Sequence, residues 1–491
     1  MHRDRWGFLL GSLWGLGLVT VAAGAADVPW PRGRPPTPVE LDASIGDAVT
    51  LYERERFEEY LEAYERGEDS EHIFVLQAWI DEGRYSVEKL FNVGDGAFEH
   101  DFQELDGYGD GSGRGLKRVH EGTYGGRDSH ACAGCHQLGG ANGSGNVTAN
   151  GFYFGDGSSI GTTVVRNPPA VLGLGYVQSL AAEMSASLQK QRTEAQAKAA
   201  SSNASVTVAL QTKGVDFGSI TVGADGRVDD GELEGVDADL VVRPFGWKGH
   251  TSRLRRFAER AARIHFGIQS HVLAQQHQED PQPERMGWGP DWWDPDGDGK
   301  QREMEEGLLT AMAIYMALLE VPVIIPPSNA ELRERWADGS AMFDRIGCSD
   351  CHRRQMNLNQ LTWTEVPDSP GSKPITINLI TDGEAPRSTG EVNLFSDLKR
   401  HDMGDDLADA NEGPDGVARN VFITRPLWGV AESPPYLHDG RAATLLEAIQ
   451  WHGGEAATAR STFEELTETQ RQNLHVFLLS LTRQPKLKVA Q

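Results

Sequence analysis

The sequence predicts a mainly α protein of two similar units, with long loops and a small β-hairpin insertion. Three observations predict it. Apolar residues recur at helical spacing in several long stretches. One stretch instead alternates about a tight turn, which is a strand pattern. All four cysteines of the 491-residue chain fall in two copies of one short motif. Gly is abundant at 56 residues, so turns and loops should separate the elements.

The elements follow in chain order. Residues 1–26 read as a cleaved secretory signal. Met1–Arg5 is basic, Trp6–Ala23 is apolar, and Ala22–Ala26 offers small residues for cleavage. This predicts a bacterial periplasmic or secreted protein with no stable membrane span after cleavage. Pro29–Pro38 is an exposed leader. Asp47–Tyr64 and Glu71–Phe91 look helical. Val177–Ala199 reads as an amphipathic helix, and Val206–Val222 as a hairpin around Lys213–Gly214. Leu254–His277 is a helix with Phe257, Ala261, Ile264, His265, Ile268 and Val272 on one face. Met304–Leu319 and Ala330–Ile346 are further helices, the second running directly into Cys348. Ser461–Glu464 has the capping-box pattern and opens a terminal helix that Pro485 closes.

Lys and Arg total 46 against 72 Asp and Glu, a net charge of −26. Such a surface repels polyphosphate, which argues against nucleic acid as a partner. Four cysteines in an exported chain would ordinarily suggest disulfides. Their spacing argues otherwise. Cys132-Ala133-Gly134-Cys135-His136 and Cys348-Ser349-Asp350-Cys351-His352 are both C-x-x-C-H, the attachment signature of c-type haem. Two thiols three positions apart add to the two vinyl groups of one haem, and the adjacent His turns onto the iron. Redox disulfides or one zinc held by four thiolates leave the two histidines unexplained. The sequence therefore predicts two covalently attached haems, with His136 and His352 as the proximal ligands. A weak echo follows each motif, Arg166–Gly173 and Thr424–Val430.

A separate pattern suggests Ca2+. Asp294, Asp296, Asp298 and Glu305 stand at positions 1, 3, 5 and 12 of an EF-hand-like loop, with Gly299 at position 6. Lys300 would contribute only its backbone carbonyl. Gln301 and Arg302 depart from the pattern, and a solvated acidic turn is the alternative.

The residues after the second motif resemble a known family. Arg425-Pro426-Leu427-Trp428-Gly429, Pro435–Arg441 and Trp451–Ala456 are similar to the C-terminal half of the bacterial di-haem cytochrome c peroxidase and MauG superfamily. With Phe245–Lys248, Gly173–Gly175 and His401–Gly404 they come nearest to its di-haem oxidoreductase branch, with some features of RoxA-type rubber oxygenases. The resemblance implies two cytochrome c-like haem domains, residues 27–335 with insertions and residues 336–485. It also implies that His452 is the sixth ligand opposite His352, with Met403 or His401 as rivals. No corresponding ligand follows Gly173, so the first haem is the expected chemical site. His265 is its candidate acid/base or displaceable ligand, the alternative being a satisfied core histidine. Phe257 and Phe266 would wall the pocket, Trp247 would relay electrons or anchor the core, and Lys248 and Arg243 would pair with propionates or be ordinary surface charge. The implied activity is a peroxidase-like oxidoreductase using hydrogen peroxide or O2 and a small electron donor, a cytochrome or a cupredoxin. The rivals are a haem oxygenase of an apolar substrate and a non-catalytic electron-transfer cytochrome.

Overall fold

The computed structural model describes residues 75–103, 106, 129–136, 150–153, 160–270, 303–379, 390–411 and 416–483. The signal segment, the proline-rich leader, the helix at 47–64 and most of the acidic loop at 294–305 lie outside them. The described chain is mainly helical, with small sheets of two or three strands. No helix among the described residues is long and apolar enough to cross a membrane.

The N-terminal part is built on helices α1 (Gln77–Asp81), α2 (Val87–Glu99), α3 (Cys132–Cys135), α4 (Leu174–Ser202), α5 (Leu254–Phe266) and α6 (Glu306–Leu318). The stretch expected as one helix over 71–91 is broken at Gly83, which adopts φ 77°. Ser86 then caps α2 by accepting from the Lys89 N–H. Helix α6 is buried along nearly its whole length and is the centre of the larger core. Helix α2 crosses it at Gly94, where a Cβ would collide with the Ala311 carbonyl.

The insertion is a three-stranded antiparallel sheet of β1 (Val206–Thr212), β2 (Val215–Val222) and β3 (Val228–Asp229). Lys213 and Gly214 turn the hairpin at φ 50° and 76°, the positive pair that two-residue hairpins require. Helix α5 stops earlier than its apolar period suggests. Gly267 takes φ 84° and ends it at Phe266, although Ile268 would continue the stripe.

The C-terminal part joins α7 (Ala330–Arg345), α8 (Cys348–Cys351), α9 (Leu445–Gln450), α10 (Ala457–Glu464) and α11 (Glu468–Leu478) around a second core that includes Phe343, Phe395, Phe463 and Phe477. Helices α7 and α11 cross at Gly339, where a Cβ would overlap the Asn473 carbonyl. The capping box expected at Ser461–Glu464 lies inside α10. The working box is Thr467 and Gln470, which open α11. Residues 356–379 and 390–398 pack with the larger core through Met356, Trp363, Ile377 and Leu398.

Candidate functional site

Each C-x-x-C-H motif forms one helical turn, α3 or α8, so its two thiols share a face and the His follows at once. The two turns line different cavities. Cys348, Cys351 and His352 line one of about 370 Å³, and Cys132, Cys135 and His136 line one of about 170 Å³. The four thiols therefore do not converge on one zinc. Burial pushes the Cys132 and Cys348 thiols up to about 12, so neither is poised as a thiolate ligand or nucleophile.

In the larger cavity His352 faces His452. Their ring centroids are 6.4 Å apart. A metal–imidazole bond is about 2 Å and a ring nitrogen lies about 1 Å from its centroid, so two imidazoles sharing one metal sit roughly 6 Å apart. Both rings are oriented from behind. His352 Nδ1 is 3.1 Å from the Phe395 carbonyl, and His452 Nδ1 is 2.8 Å from the Ala448 carbonyl. Those bonds leave each Nε2 to face the gap. Burial holds both imidazoles below their ordinary pKa, His352 at about 4, so both are neutral donors near pH 7.

The rival ligand His401 is otherwise engaged. Its two ring nitrogens face Asp397 at 2.9 Å and Glu455 at 2.7 Å. Burial opposes its charge, but the hydrogen bond to Asp397 and its other partners outweigh that and raise it to about 11. With a carboxylate at each ring nitrogen, His401 has neither nitrogen left for a metal. Met403 lines the cavity wall.

The cavity also holds a cation. Arg425 is lowered to about 10 by burial and has no carboxylate partner among the described residues. Its guanidinium lies 5.4 Å over the Trp247 ring. A haem propionate would supply the missing charge. The facing imidazoles, the paired thiols and this unpartnered cation together fit a haem.

In the smaller cavity His136 is half-buried, and its pKa falls to about 4 through desolvation and then the nearby His265. Its Nδ1 has no hydrogen-bond partner, although the Pro169 backbone lies close enough to favour protonation. His265, Phe257 and Phe266 line this cavity as the sequence suggests, joined by His250, Arg260, Met312 and Met316. Phe257 stacks on Phe245 at 5.7 Å, and Phe266 on Phe102 at 5.0 Å.

Asn167, Pro168, Pro169 and Trp247 line both cavities. The Trp247 Nε1–H donates to the Asn167 carbonyl at 2.8 Å. Beside this wall a buried carboxylate, Asp409, accepts two hydrogen bonds from Arg166 at 2.6 and 2.7 Å and pairs with Lys248 at 3.0 Å. His438 is 3.5 Å from Asp409 and stacks on Phe422 at 4.4 Å. Lys248 is therefore committed to Asp409, not to a propionate. Arg243 likewise pairs with Asp237 and Asp239. Of the calcium residues, Asp294, Asp296, Asp298 and Lys300 lie outside the described residues. Glu305 is fully buried just before α6.

Sequence reasoning missed Arg425, Asp409 and Glu455. No local pattern marks Asp409, whose main partner is 243 residues away. Arg425 and Glu455 stand inside quoted motifs, and only their surroundings give them a role.

Comparison with curated proteins finds no match. Among solved structures, Kuenenia stuttgartiensis hydrazine synthase aligns at 16% identity over 81% of this chain and 92% of that one, with a TM-score of 0.31. A MauG-like protein associated with microbial copper homeostasis aligns at 16% identity over 54% of this chain and 79% of that one, with a TM-score of 0.27. Neither likeness is close enough to bear on the fold. Residues 237–481 match the family described as "Di-haem oxidoreductase, putative peroxidase". That segment carries the second C-x-x-C-H turn, both facing histidines and Trp247, and the chain belongs to the di-haem oxidoreductase family.

Proposed function

We propose that this chain is an exported c-type di-haem oxidoreductase of the peroxidase kind, with one closed and one reactive haem site. Bound haem would supply one-electron transfer at the closed site and peroxide O–O cleavage at the reactive one. Cys348 and Cys351 would attach one haem, and His352 and His452 would both hold its iron. Cys132 and Cys135 attach the other, with His136 on its proximal side. His265 lines the same cavity and would give a proton to, or take one from, a peroxide held there. Phe257 and Phe266 restrict water around it. Trp247, in the wall common to both cavities, passes electrons from one site to the other. The closed site is refilled by a small redox protein.

The observation that carries this reading is the contrast between the two cavities. One has two neutral imidazoles 6.4 Å apart, each aimed by a carbonyl. In the other, the Nδ1 of the proximal His136 has no such partner, and His250 and His265 share its lining. Electron paramagnetic resonance of the isolated protein, repeated on His452→Ala, tests it. One low-spin and one high-spin ferric signal are expected, with the low-spin one lost in the variant. Mass spectrometry should show two haems added to the mature chain.

A second reading is favoured by one observation, the influence of His265 on His136 across the smaller cavity. If His265 itself fills the sixth position, the protein is an electron-transfer cytochrome. Two low-spin signals in every redox state would select that reading.

A further inference from the structure

The facing histidines are held by more than the carbonyls behind them. His452 directly precedes Gly453 and Gly454, the least restrained pair a chain can offer. Glu455 removes that freedom. Its Oε1 accepts from the Asp402 backbone N–H at 2.8 Å, and its Oε2 accepts from His401 Nδ1 at 2.7 Å. His401 Nε2 in turn donates to Asp397 Oδ2 at 2.9 Å. Asp397 is itself fixed, because its Oδ1 accepts from the Lys399 N–H at 2.9 Å. Two residues before Asp397 stands Phe395, whose carbonyl orients His352. One loop thus reaches His352 directly and reaches His452 through two side chains. That loop holds Phe395 and Leu398 at φ 55° and 57°, a region non-glycine residues seldom enter without a reason.

We propose that Asp397, His401 and Glu455 form a hydrogen-bonded strut that holds His452 opposite His352 and so keeps the second haem closed to exogenous ligands. The proposal rests on the reading of His452 as a ligand. The three residues are positioning residues, since none of them reaches the iron. His452 can leave by swinging with the 453–455 turn, and that turn is tied down by a charge-assisted bond at each Glu455 oxygen and by its packing on the Asp402–Gly404 backbone. Losing both bonds should raise the rate of His452 displacement by about tenfold or more.

The test uses the full haem-loaded protein, reduced and exposed to carbon monoxide. His452→Ala should bind one more CO per chain than the parent. Glu455→Ala should bind that same extra CO about tenfold faster than the parent, with part of the low-spin ferric signal lost. Glu455→Gln, which keeps an acceptor for Asp402, should fall between. The Glu455 side chain is 51% exposed, so haem content and far-UV circular dichroism should stay at parental values. Asp397→Asn breaks the other end of the strut and should open the haem in the same direction. If Glu455→Ala and Asp397→Asn both remain as closed as the parent while His452→Ala is open, the strut is overturned and the ligand assignment stands. If His452→Ala is itself closed, the ligand assignment falls and the strut falls with it.

Discussion

Asp409→Asn probes the charge cluster beside the wall common to the two cavities. Asp409 is only 4% exposed, and it neutralises two cations that are themselves largely buried, Arg166 and Lys248. An amide cannot accept the two-pronged Arg166 contact, and its NH2 group would face a positive charge. Removing one member of a buried ion cluster costs about 3–5 kcal/mol, most of it from the cations left uncompensated. Whole-domain stabilities are about 5–15 kcal/mol, so this is a large fraction. The melting temperature should fall on the order of 10 °C. The effect also has a pH signature. Burial opposes the Asp409 charge, but the hydrogen bonds and charge of Arg166, helped by Lys248, hold its pKa below the ordinary carboxylate value. A folded-state pKa below the unfolded one gives stability that is present above the unfolded value and is lost as pH falls through the folded one. The gap between parent and Asp409→Asn should be full at pH 7 and narrow below about pH 4. Thermal melts followed by circular dichroism at several pH values measure it. A gap under about 1 kcal/mol at pH 7, the size typical of an exposed pair, or one that does not change with pH, would refute the argument.

Two further substitutions test other parts of the structure. Gly339→Ala places a methyl group on the Asn473 backbone carbonyl, which can yield only if α7 and α11 separate, so about 1–3 kcal/mol of stability should be lost; a melting temperature equal to the parent's would show that the crossing is looser than described. His265→Ala should lower peroxide-dependent turnover roughly 10²–10⁴-fold while leaving the low-spin signal of the His352–His452 pair intact; undiminished turnover would reduce His265 to a packing residue.

What could be read from the sequence was local. The C-x-x-C-H turns, the Lys213–Gly214 hairpin and helices such as α7 depend on neighbours within a few residues, and their patterns survive in one dimension. The errors were local as well. Ile268 continued the apolar period of α5 beyond the point where Gly267 turns the backbone left-handed. Ser461 and Glu464 matched the capping spacing but lie within α10, while Thr467 and Gln470 do the capping. The candidate site was legible where a motif carried it, and His452 needed the family resemblance. Lys248 and Arg243 stay open in the sequence between propionate pairing and ordinary surface charge, because a cation's role depends on which carboxylate reaches it. Asp409 lies 161 residues from Lys248, and Asp237 and Asp239 bind Arg243 from the neighbouring turn.

The wall formed by Asn167, Pro168, Pro169 and Trp247 couples the fates of the two chambers. Each surface of this partition is the lining of one compartment and the backing of the other. Two prolines stiffen it, and the indole is pinned to it by its own N–H, so it has little slack to absorb a local rearrangement. Redesigning one compartment by altering the partition would therefore register as a spectral change in the opposite one.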